Sequence, residues 1–521
     1  MENIINNNIN YPVLSLITFL PLLGAVFILV IRNKVLIKWF ALSTTFGTFI
    51  VSLPIYKYFD KTTHKMQFVE NYPWITTWNI NYKVGIDGIS VLFIILVTIL
   101  SILCVTVSWR VVQHRLKEFF VSLLVLETAM IGIFISLNAF LFYLFWELTL
   151  IPMFLLIGVW GGQKRIYSAV KFVLFMLAGS VFMLVAIIML YHVGGKTFDI
   201  LELTKVNYPV GLQLWLFLAF FAAFAVKMPM FPIHTWLPDA HTEAPTAGSV
   251  ILAGILLKMG AYGFLRFSLP MFPLAVNMLF IPLLILSVTA IIYGAYVTLM
   301  QNDIKRLIAY SSVSHMGFVT LGIFTLNQTG IEGGILQMIN HGIITGGLFL
   351  CIGMIYERTH TRMIEDYGGL AKTVPVYMIF FTIFTLAAIG FPGLNAFVGE
   401  FLIISGAFKA NMIIAAFSII GIVLGTSYMV WLYYRVALNE INENTKPKLF
   451  DLDLREIATL MPLVFLVFLI GLQPEILLSY MHVSVEHLLE QVHTSPIIKD
   501  YNISDSVNLM VQNLKKYFIG G

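Results

Sequence analysis

The sequence has 521 residues, of which 59% are hydrophobic and only 11% are charged, with a formal net charge of +4. Soluble globular proteins carry about 25% charged residues, so this composition excludes a soluble domain and indicates a chain with many membrane spans. The small net charge gives no sign of nucleic-acid binding. Cys104 and Cys351 each lie alone in an apolar run, which argues against a disulfide framework, a zinc site or an iron–sulfur cluster.

Apolar runs of about 20 residues, the length that crosses a bilayer, divide the chain into about fourteen predicted spans. Their predicted ranges are 13–31, 37–56, 88–108, 119–137, 139–158, 169–192, 212–232, 246–267, 277–300, 304–326, 331–357, 375–407, 410–435 and 456–473. The predicted fold class is an all-α membrane protein. Its predicted units are the first three spans and their long loop (1–118), two five-span repeats (119–267 and 277–435), and the last span with its tail (436–521).

Two of these spans carry internal breaks. The seventh runs into the segment Lys227-Met-Pro-Met-Phe-Pro232, and the twelfth is interrupted at Gly390-Phe-Pro-Gly393. Proline removes a backbone hydrogen bond inside a helix, and in lipid such a break persists only where protein or water covers it. The breaks are five spans apart, so the two repeats are predicted to have opposite orientations. Inverted repeats with broken helices are typical of transporters.

The distribution of lysine and arginine predicts the orientation. These residues are concentrated in the loops that follow odd-numbered spans, for example at Arg110, Arg115 and Lys117. Because cytoplasmic loops are enriched in basic residues, these loops are predicted to face the cytoplasm. Both termini are therefore predicted to be periplasmic, with the chain in a bacterial inner membrane.

Four ionisable side chains lie at mid-span positions, namely Glu147, Lys227, Lys258 and Glu400. Each costs about 2.5–3.5 kcal/mol at the centre of a helix on insertion scales. A static ion pair that pins two helices would explain any one pair. Four such groups on four helices favour proton transfer instead. Glu127 is a weaker candidate, since one static partner would account for it.

Histidines add groups that titrate near neutral pH. His315 and His341 are mid-span, and His234 and His241 flank the break in the seventh span. A single buried histidine is as readily a hydrogen-bonded core residue as a relay. Asp87 and Arg266 lie near span ends, where we expect them to face water or to reach the membrane surface.

The segments that carry these residues resemble the proton-translocating, antiporter-like subunits of respiratory complex I over nearly the whole chain. The resemblance rests on the run from Lys227 to Thr246, on Arg306-Leu-Ile-Ala-Tyr-Ser-Ser-Val-Ser-His-Met-Gly317, on His341-Gly342, and on the run from Gly390 to Glu400. Within that family the chain is most similar to the M type, with Gly85-Ile-Asp-Gly-Ile-Ser90, Glu400 in place of a lysine, and no long lateral helix after the last span.

The resemblance implies roles for the buried groups. Glu147 and Lys227 would form the acid–base pair of the channel, Lys258 would be the central lysine, and Glu400 would be the terminal group. His315 and His341 would link them. The implied partners are the L-type, N-type and small membrane-arm subunits. Flavin and iron–sulfur clusters would belong to partner subunits, and no cofactor or metal is expected in this chain.

These residues suggest a mechanism and leave two rival hypotheses. We expect Lys227 to keep or release its proton according to the distance of the Glu147 carboxylate, with energy supplied by redox chemistry elsewhere. One rival is a multi-subunit Mrp-type cation/proton antiporter, whose chains share these motifs. The other is a scaffold subunit that anchors a redox arm without transporting anything.

Overall fold

The computed structural model describes residues 4–5, 11–440 and 449–493. Its helices, numbered along the chain, are α1 Val13–Val30, α2 Lys34–Tyr58, α3 Val91–Val111, α4 Leu116–Ile135, α5 Ala139–Trp160, α6 Arg165–Val193, α7 Val210–Lys227, α8 Trp236–Glu243, α9 Thr246–Met271, α10 Phe280–Leu299, α11 Ile304–Phe324, α12 Gln328–Thr359, α13 Pro375–Ala388, α14 Asn395–Ala410, α15 Met412–Leu438, α16 Leu454–Leu472 and α17 Glu475–His493. Short helical turns occur at Ile200–Leu203, Pro273–Met278 and Leu370–Thr373.

The membrane fold predicted from the sequence is confirmed. In the described part of the chain, 13 helices are long and apolar enough to cross a membrane. The twelfth predicted span is the exception, because it consists of the shorter helices α13 and α14. Helix ends agree with the predicted spans to within a few residues, since each apolar run stops where polar residues begin. The opposite orientation of the two repeats stays a prediction.

Both predicted breaks are present. Helix α7 ends at Lys227 and the chain resumes as α8 at Trp236, after two prolines that cannot donate a backbone hydrogen bond. Between α13 and α14, Gly390 and Gly393 adopt positive φ angles of 75° and 89°, which favour glycine. Each break therefore ends one helix and begins another within the predicted span.

The long loop after α2 contains a small β-sheet, which the sequence analysis did not predict. It forms two antiparallel strands, β2 Met66–Ile75 and β3 Ile80–Ile86, and the short strand β1 Ile4–Ile5 pairs with β2 in parallel. The Glu70 carboxylate accepts a hydrogen bond from the backbone N–H of Leu14, at the start of α1. We call this end of the bundle the sheet end. The opposite end, which carries Arg110 and Arg358, is the basic end.

The tail after the last predicted span contains a helix that the sequence analysis did not assign. Helix α17 packs against α12 and the end of α9 at the sheet end. The Ser484 hydroxyl accepts a hydrogen bond from the Gly88 N–H, 3.0 Å away, and His493 lies 3.1 Å from the Leu326 carbonyl. These contacts join α17 to the turn before α3 and to the turn between α11 and α12. Residues 494–521 of the predicted tail lie outside the described residues.

The expectation for Asp87 and Arg266 was wrong. Asp87 is buried and the Arg266 side chain is only 11% exposed, and Arg266 Nη2 lies 2.7 Å from Asp87 Oδ2. Asp87 also accepts the backbone N–H groups of Ile89 and Ser90, at the start of α3. An ionised side chain with little exposure requires a partner of opposite charge, and Asp87 and Arg266 provide this for each other. The pair therefore joins α9 to the start of α3.

The anchorage of α17 is predicted to weaken at alkaline pH. His482 Nδ1 lies 2.7 Å from Glu332 Oε1 on α12, and Nε2 lies 3.5 Å from Glu475. Partial burial lowers the pKa of His482, but the two carboxylates raise it more, so the net pKa lies above its usual value. The stabilising contribution is therefore full below about pH 6.5 and is lost as pH rises through the higher folded pKa.

Limited proteolysis of α17 at acidic and alkaline pH measures this effect. We expect cleavage of α17 in the unchanged chain to become faster from acidic to alkaline pH, while cleavage of the His482→Gln variant changes little. The ratio of the two cleavage rates should therefore approach one at high pH. A ratio that stays constant across the pH range would contradict the assignment.

Candidate functional site

The first pair of predicted groups lies where α5 and α7 meet. Lys227, the last residue of α7, is 1% exposed, and its Nζ donates a 2.9 Å hydrogen bond to the Thr149 hydroxyl. The same ammonium lies 5.0 Å from the centre of the Trp146 ring, a cation–π distance. One oxygen of Glu147 is buried without a hydrogen-bond partner, and no ion pair within the described chain joins it to Lys227. The Glu147 carboxylate and the Lys227 ammonium are therefore close in the fold but do not form an ion pair.

The central lysine lies in an irregular stretch of α9. Two π-helical turns, Leu252–Leu256 and Phe264–Ser268, flank the segment that holds Lys258. Such turns widen the helix and free backbone carbonyls. The Lys258 ammonium donates to one of these, the Ala253 carbonyl, and its Nζ lies 2.7 Å from His341 Nδ1. The helix irregularity thus supplies a polar partner for a fully buried cation.

Close packing brings α7 against this segment. A Cβ added to Gly260 would lie 2.5 Å from the Phe224 carbonyl and 3.0 Å from the Met228 nitrogen. Only glycine permits this approach without a shift of backbone. Gly260 is two residues from Lys258, and Met228 directly follows Lys227. This close packing therefore places Lys227 and Lys258 on two helices that touch at Gly260.

The histidines continue the polar line from Lys258. The rings of His341 and His315 have centroids 5.8 Å apart, and His315 Nδ1 lies 3.5 Å from Glu400 Oε1. That distance is longer than a well-formed hydrogen bond, and His315 Nδ1 has no hydrogen-bond partner. Lys258, His341, His315 and Glu400 form one continuous series. We call it the central axis.

Glu400 ends the central axis beside the break between α13 and α14. Its carboxylate accepts a 3.2 Å hydrogen bond from Gln337 Nε2 on α12. A Cβ on Gly390 would lie 2.7 Å from Glu400 Oε2, so the glycine leaves room for the carboxylate. On its other side Glu400 lines a groove with about 940 Å³ of empty space, which runs along α14 to Lys409. The terminal acid therefore lies between the buried axis and a more open region.

A small cavity lies beside the central axis and has room for about one water molecule. It is lined by polar and apolar groups, including His315, Gln337, His341 and Thr345. Buried water requires polar partners, and these side chains provide several. The unpartnered His341 Nε2 offers another. The cavity thus supplies the surroundings that a bridging water needs between the two rings.

No hydrogen bond or ion pair in the described chain joins the remaining sequence candidates to the central axis. His234, between α7 and α8, packs against the Tyr293 ring at 5.2 Å. His241, on α8, is fully buried with both ring nitrogens unpartnered. Glu127 on α4 is also fully buried, and neither of its oxygens has a hydrogen-bond partner. Of the described contacts, none places His234 or Glu127 against a member of the central axis.

Sequence reasoning missed the uncharged polar members of the site. Thr149 holds the Lys227 ammonium, Gln337 holds Glu400, and Asn340 Nδ2 donates to the Asn395 carbonyl at the start of α14. A signal was present, because Gln337, Asn340 and His341 recur at helical spacing inside one apolar span. A polar stripe of that kind marks a helix face that points into the bundle.

Comparison with known proteins identifies the family of this chain. The family model for NADH:quinone oxidoreductase/Mrp antiporter transmembrane segments matches residues 136–425, which include every residue of the central axis. The chain belongs to this family. The matched region also contains Glu147, Lys227 and both helix breaks, so the family assignment and the candidate site coincide.

Individual relatives narrow the assignment. NADH-quinone oxidoreductase subunit M of Rhodobacter capsulatus is 49% identical over 502 residues, covering 92% of this chain and 97% of that protein. NADH-ubiquinone oxidoreductase chain 4 of Marchantia polymorpha is 47% identical, with 92% and 97% coverage. These matches confirm the resemblance to the M type that the motifs predicted.

Solved structures support the fold. A chain of respiratory complex I from Thermus thermophilus with bound NADH superposes with a TM-score of 0.85 at 30% identity, covering 92% of this chain and 99% of that chain. A chain of the Mrp complex from a Dietzia species gives a TM-score of 0.82 at 19% identity, with 92% and 99% coverage. At that identity the second likeness concerns the fold alone, so the Mrp alternative has weaker support.

Proposed function

We propose that this chain is the proton-translocating M-type subunit of NADH–quinone oxidoreductase, and that its central axis carries the protons. The observation that supports this most is the series Lys258, His341, His315 and Glu400, in which every member is polar and all but the slightly exposed His315 are buried. Apolar residues would fill this space more cheaply. Groups that can each bind and release a proton, placed at successive short distances, are what proton transfer requires.

The central axis transfers a proton in short steps. Lys258 gives its proton to His341 Nδ1 across 2.7 Å, a hydrogen-bond distance. The imidazole can release a proton from its other nitrogen, Nε2, which faces no protein partner. Water in the cavity would carry it to His315, and from there to the Glu400 carboxylate. Return of each group to its first state resets the axis.

The distance between Glu147 and Lys227 controls whether Lys227, which precedes Lys258 in the proposed route, keeps its proton. At about 4–6 Å and an effective dielectric near 20, a carboxylate and an ammonium attract each other by about 3–4 kcal/mol. When Glu147 approaches, it stabilises the Lys227 ammonium. When it withdraws, the ammonium keeps only the weaker contacts with Thr149 and Trp146, as in the structure. Lys227 then releases its proton toward Lys258 more readily.

The energy for transport comes from partner subunits. Moving one charge against 100 mV costs about 2.3 kcal/mol, and this chain has no group that we expect to supply it by redox chemistry. NADH oxidation, with flavin and iron–sulfur clusters, belongs to other subunits in this proposal. L-type, N-type and small subunits of the membrane arm are the neighbours we assign.

The proposed setting is a bacterial inner membrane. The basic end, with Arg110 and Arg358, faces the cytoplasm, and the sheet end faces outward, as the positive-inside rule favours. Both termini are then periplasmic. The broken helices α7–α8 and α13–α14 belong to two repeats of opposite orientation, which we propose to be 119–267 and 277–435. One break thus serves each half of the transport route.

Purification of the tagged chain from its native membrane tests this function. We expect flavin- and iron–sulfur-containing subunits to be recovered with it, and the reconstituted particle to pump protons on addition of NADH and quinone without sodium. Recovery with other antiporter subunits only, together with a sodium-driven pH change that needs no NADH, would support the Mrp alternative. Unchanged proton stoichiometry after neutralisation of Glu147, Lys227, Lys258 and Glu400 would support the scaffold hypothesis.

A further inference from the structure

A large cavity opens at the basic end, close to the buried lysine. It has about 1140 Å³ of empty space, and we call it the vestibule. Its walls come from the end of α5, the junction of α8 and α9, and the last turns of α12. Charged side chains line it, including Glu243, Lys305, Glu357 and Arg362. Charged groups favour a hydrated environment, so the vestibule has the lining expected of a water-filled entrance.

The vestibule ends at an aromatic side chain with a histidine directly behind it. Phe349 lines the cavity, and the His241 ring is stacked flat on it, with centroids 4.7 Å apart and planes within 9°. Phe349 is 1% exposed and His241 is 0% exposed. Both ring nitrogens of His241 lack hydrogen-bond partners. A buried histidine without any partner is costly, so a role other than packing is needed to explain it.

Lys305, on the vestibule wall, and Lys258, in the central axis, are the two lysines whose charges act on the His241 ring. Lys305 is held by the Ala244 carbonyl, three residues after His241. The two lysines belong to the entrance and to the central axis, so the electrostatic environment of His241 is set by both regions.

Helix α12 connects the same two regions. His341, Thr345 and Phe349 follow one another at intervals of four residues, so they lie along one face of the helix. His341 and Thr345 line the axis cavity, and Phe349 lines the vestibule. The two cavities are thus consecutive on a single helix face. The aromatic ring of Phe349 and the side chain of Leu348 separate them.

We propose that Phe349 is a gate between the vestibule and the central axis, and that His241 is the first proton acceptor behind it. This inference rests on the proposed function. With the ring in place, water in the vestibule cannot reach the axis, and protons do not flow back. Rotation of the ring exposes His241 Nδ1 or Nε2 to vestibule water. The ring then closes while His241 passes the proton inward toward Lys258 and His341.

Passive proton leak tests the gate directly. The assembled complex is reconstituted in liposomes without NADH, an outward or inward pH gradient is imposed, and its decay is followed with a pH-sensitive dye. We expect Phe349→Ala to increase the leak several-fold, and Phe349→Tyr, which keeps the stacked ring, to restore the wild-type rate. Leu350→Ala removes a fully buried side chain from the next position of α12, so it controls for loss of packing.

His241 gives the second arm of the test. His241→Gln should lower NADH-driven pumping strongly, and in the double variant it should suppress the leak of Phe349→Ala. Equal leak in Phe349→Ala and Leu350→Ala, or normal pumping by His241→Gln, would overturn the gate. If Phe349→Ala does not assemble, Phe349→Leu should show the same leak, and a tight Phe349→Leu would also overturn it. A wild-type complex that does not pump would contradict the proposed function instead.

Discussion

Replacing Lys258 by methionine is expected to stop most proton pumping while leaving the complex assembled. Methionine fills the same space without charge, so the costly burial of an ammonium disappears and stability should be unchanged or higher. Loss of a positioned proton donor typically slows a proton-transfer step by about 10²–10⁴-fold. Pumping by the reconstituted complex and its quinone reduction should therefore both fall, while the amount of assembled complex stays the same.

Lys258→Arg separates proton exchange from a fixed charge. Arginine keeps the positive charge but does not release its proton in proteins, so we expect this variant to be as defective as Lys258→Met. Met259→Leu changes a fully buried neighbour and serves as the matched control. Normal pumping by Lys258→Arg would show that only the charge matters, and the relay along the central axis would have to be abandoned.

Lys227→Ala is expected to have the second large effect. The variant removes the ammonium that Thr149 and Trp146 hold, and leaves Glu147 without a cation to act on. Pumping should fall by at least about tenfold if the pair takes part in proton transfer. Glu147→Gln, which has the same shape without the charge, should give a similar loss. Both are measured as protons moved per NADH oxidised.

The length of the acidic side chain provides a finer measure. Glu147→Asp keeps the charge but shortens its reach, so we expect partial pumping if the carboxylate must approach Lys227. Thr149→Val keeps the shape of the residue that now holds the ammonium, and should affect pumping less than either charge removal. Full activity in both Lys227→Ala and Glu147→Ala would place the pair outside the proton path.

Much of this protein follows from sequence because the bilayer imposes strong constraints. Backbone groups in lipid must be paired within the segment, so long apolar runs become helices, and thirteen of the fourteen predicted spans match long apolar helices of the described chain. The breaks at Pro229 and Pro392 were predictable for a related reason, since proline cannot complete a helix. Charged residues at mid-span stand out because of their cost, which identified Glu147, Lys227, Lys258 and Glu400.

Other features depend on contacts between distant segments. The pairing of Lys258 with His341 joins residues 83 positions apart, and nothing in either span indicates its partner. The same holds for the pairing of Asp87 with Arg266 and for the packing of α17 against α12, because each joins segments that are far apart in the sequence. The stacking of His241 on Phe349 became visible only when α8 was placed beside α12.

The sequence by itself determined which segments enter the membrane, where two helices break and which charges stand out at mid-span, because each depends on local transfer energies. Only the tertiary structure decided which buried groups meet. Side chains such as Thr149 and Gln337 have ordinary polarity and gain their roles from the helices that pack beside them. The order of groups along a proton route is a property of that packing, since it depends on distances between helices that no single segment encodes.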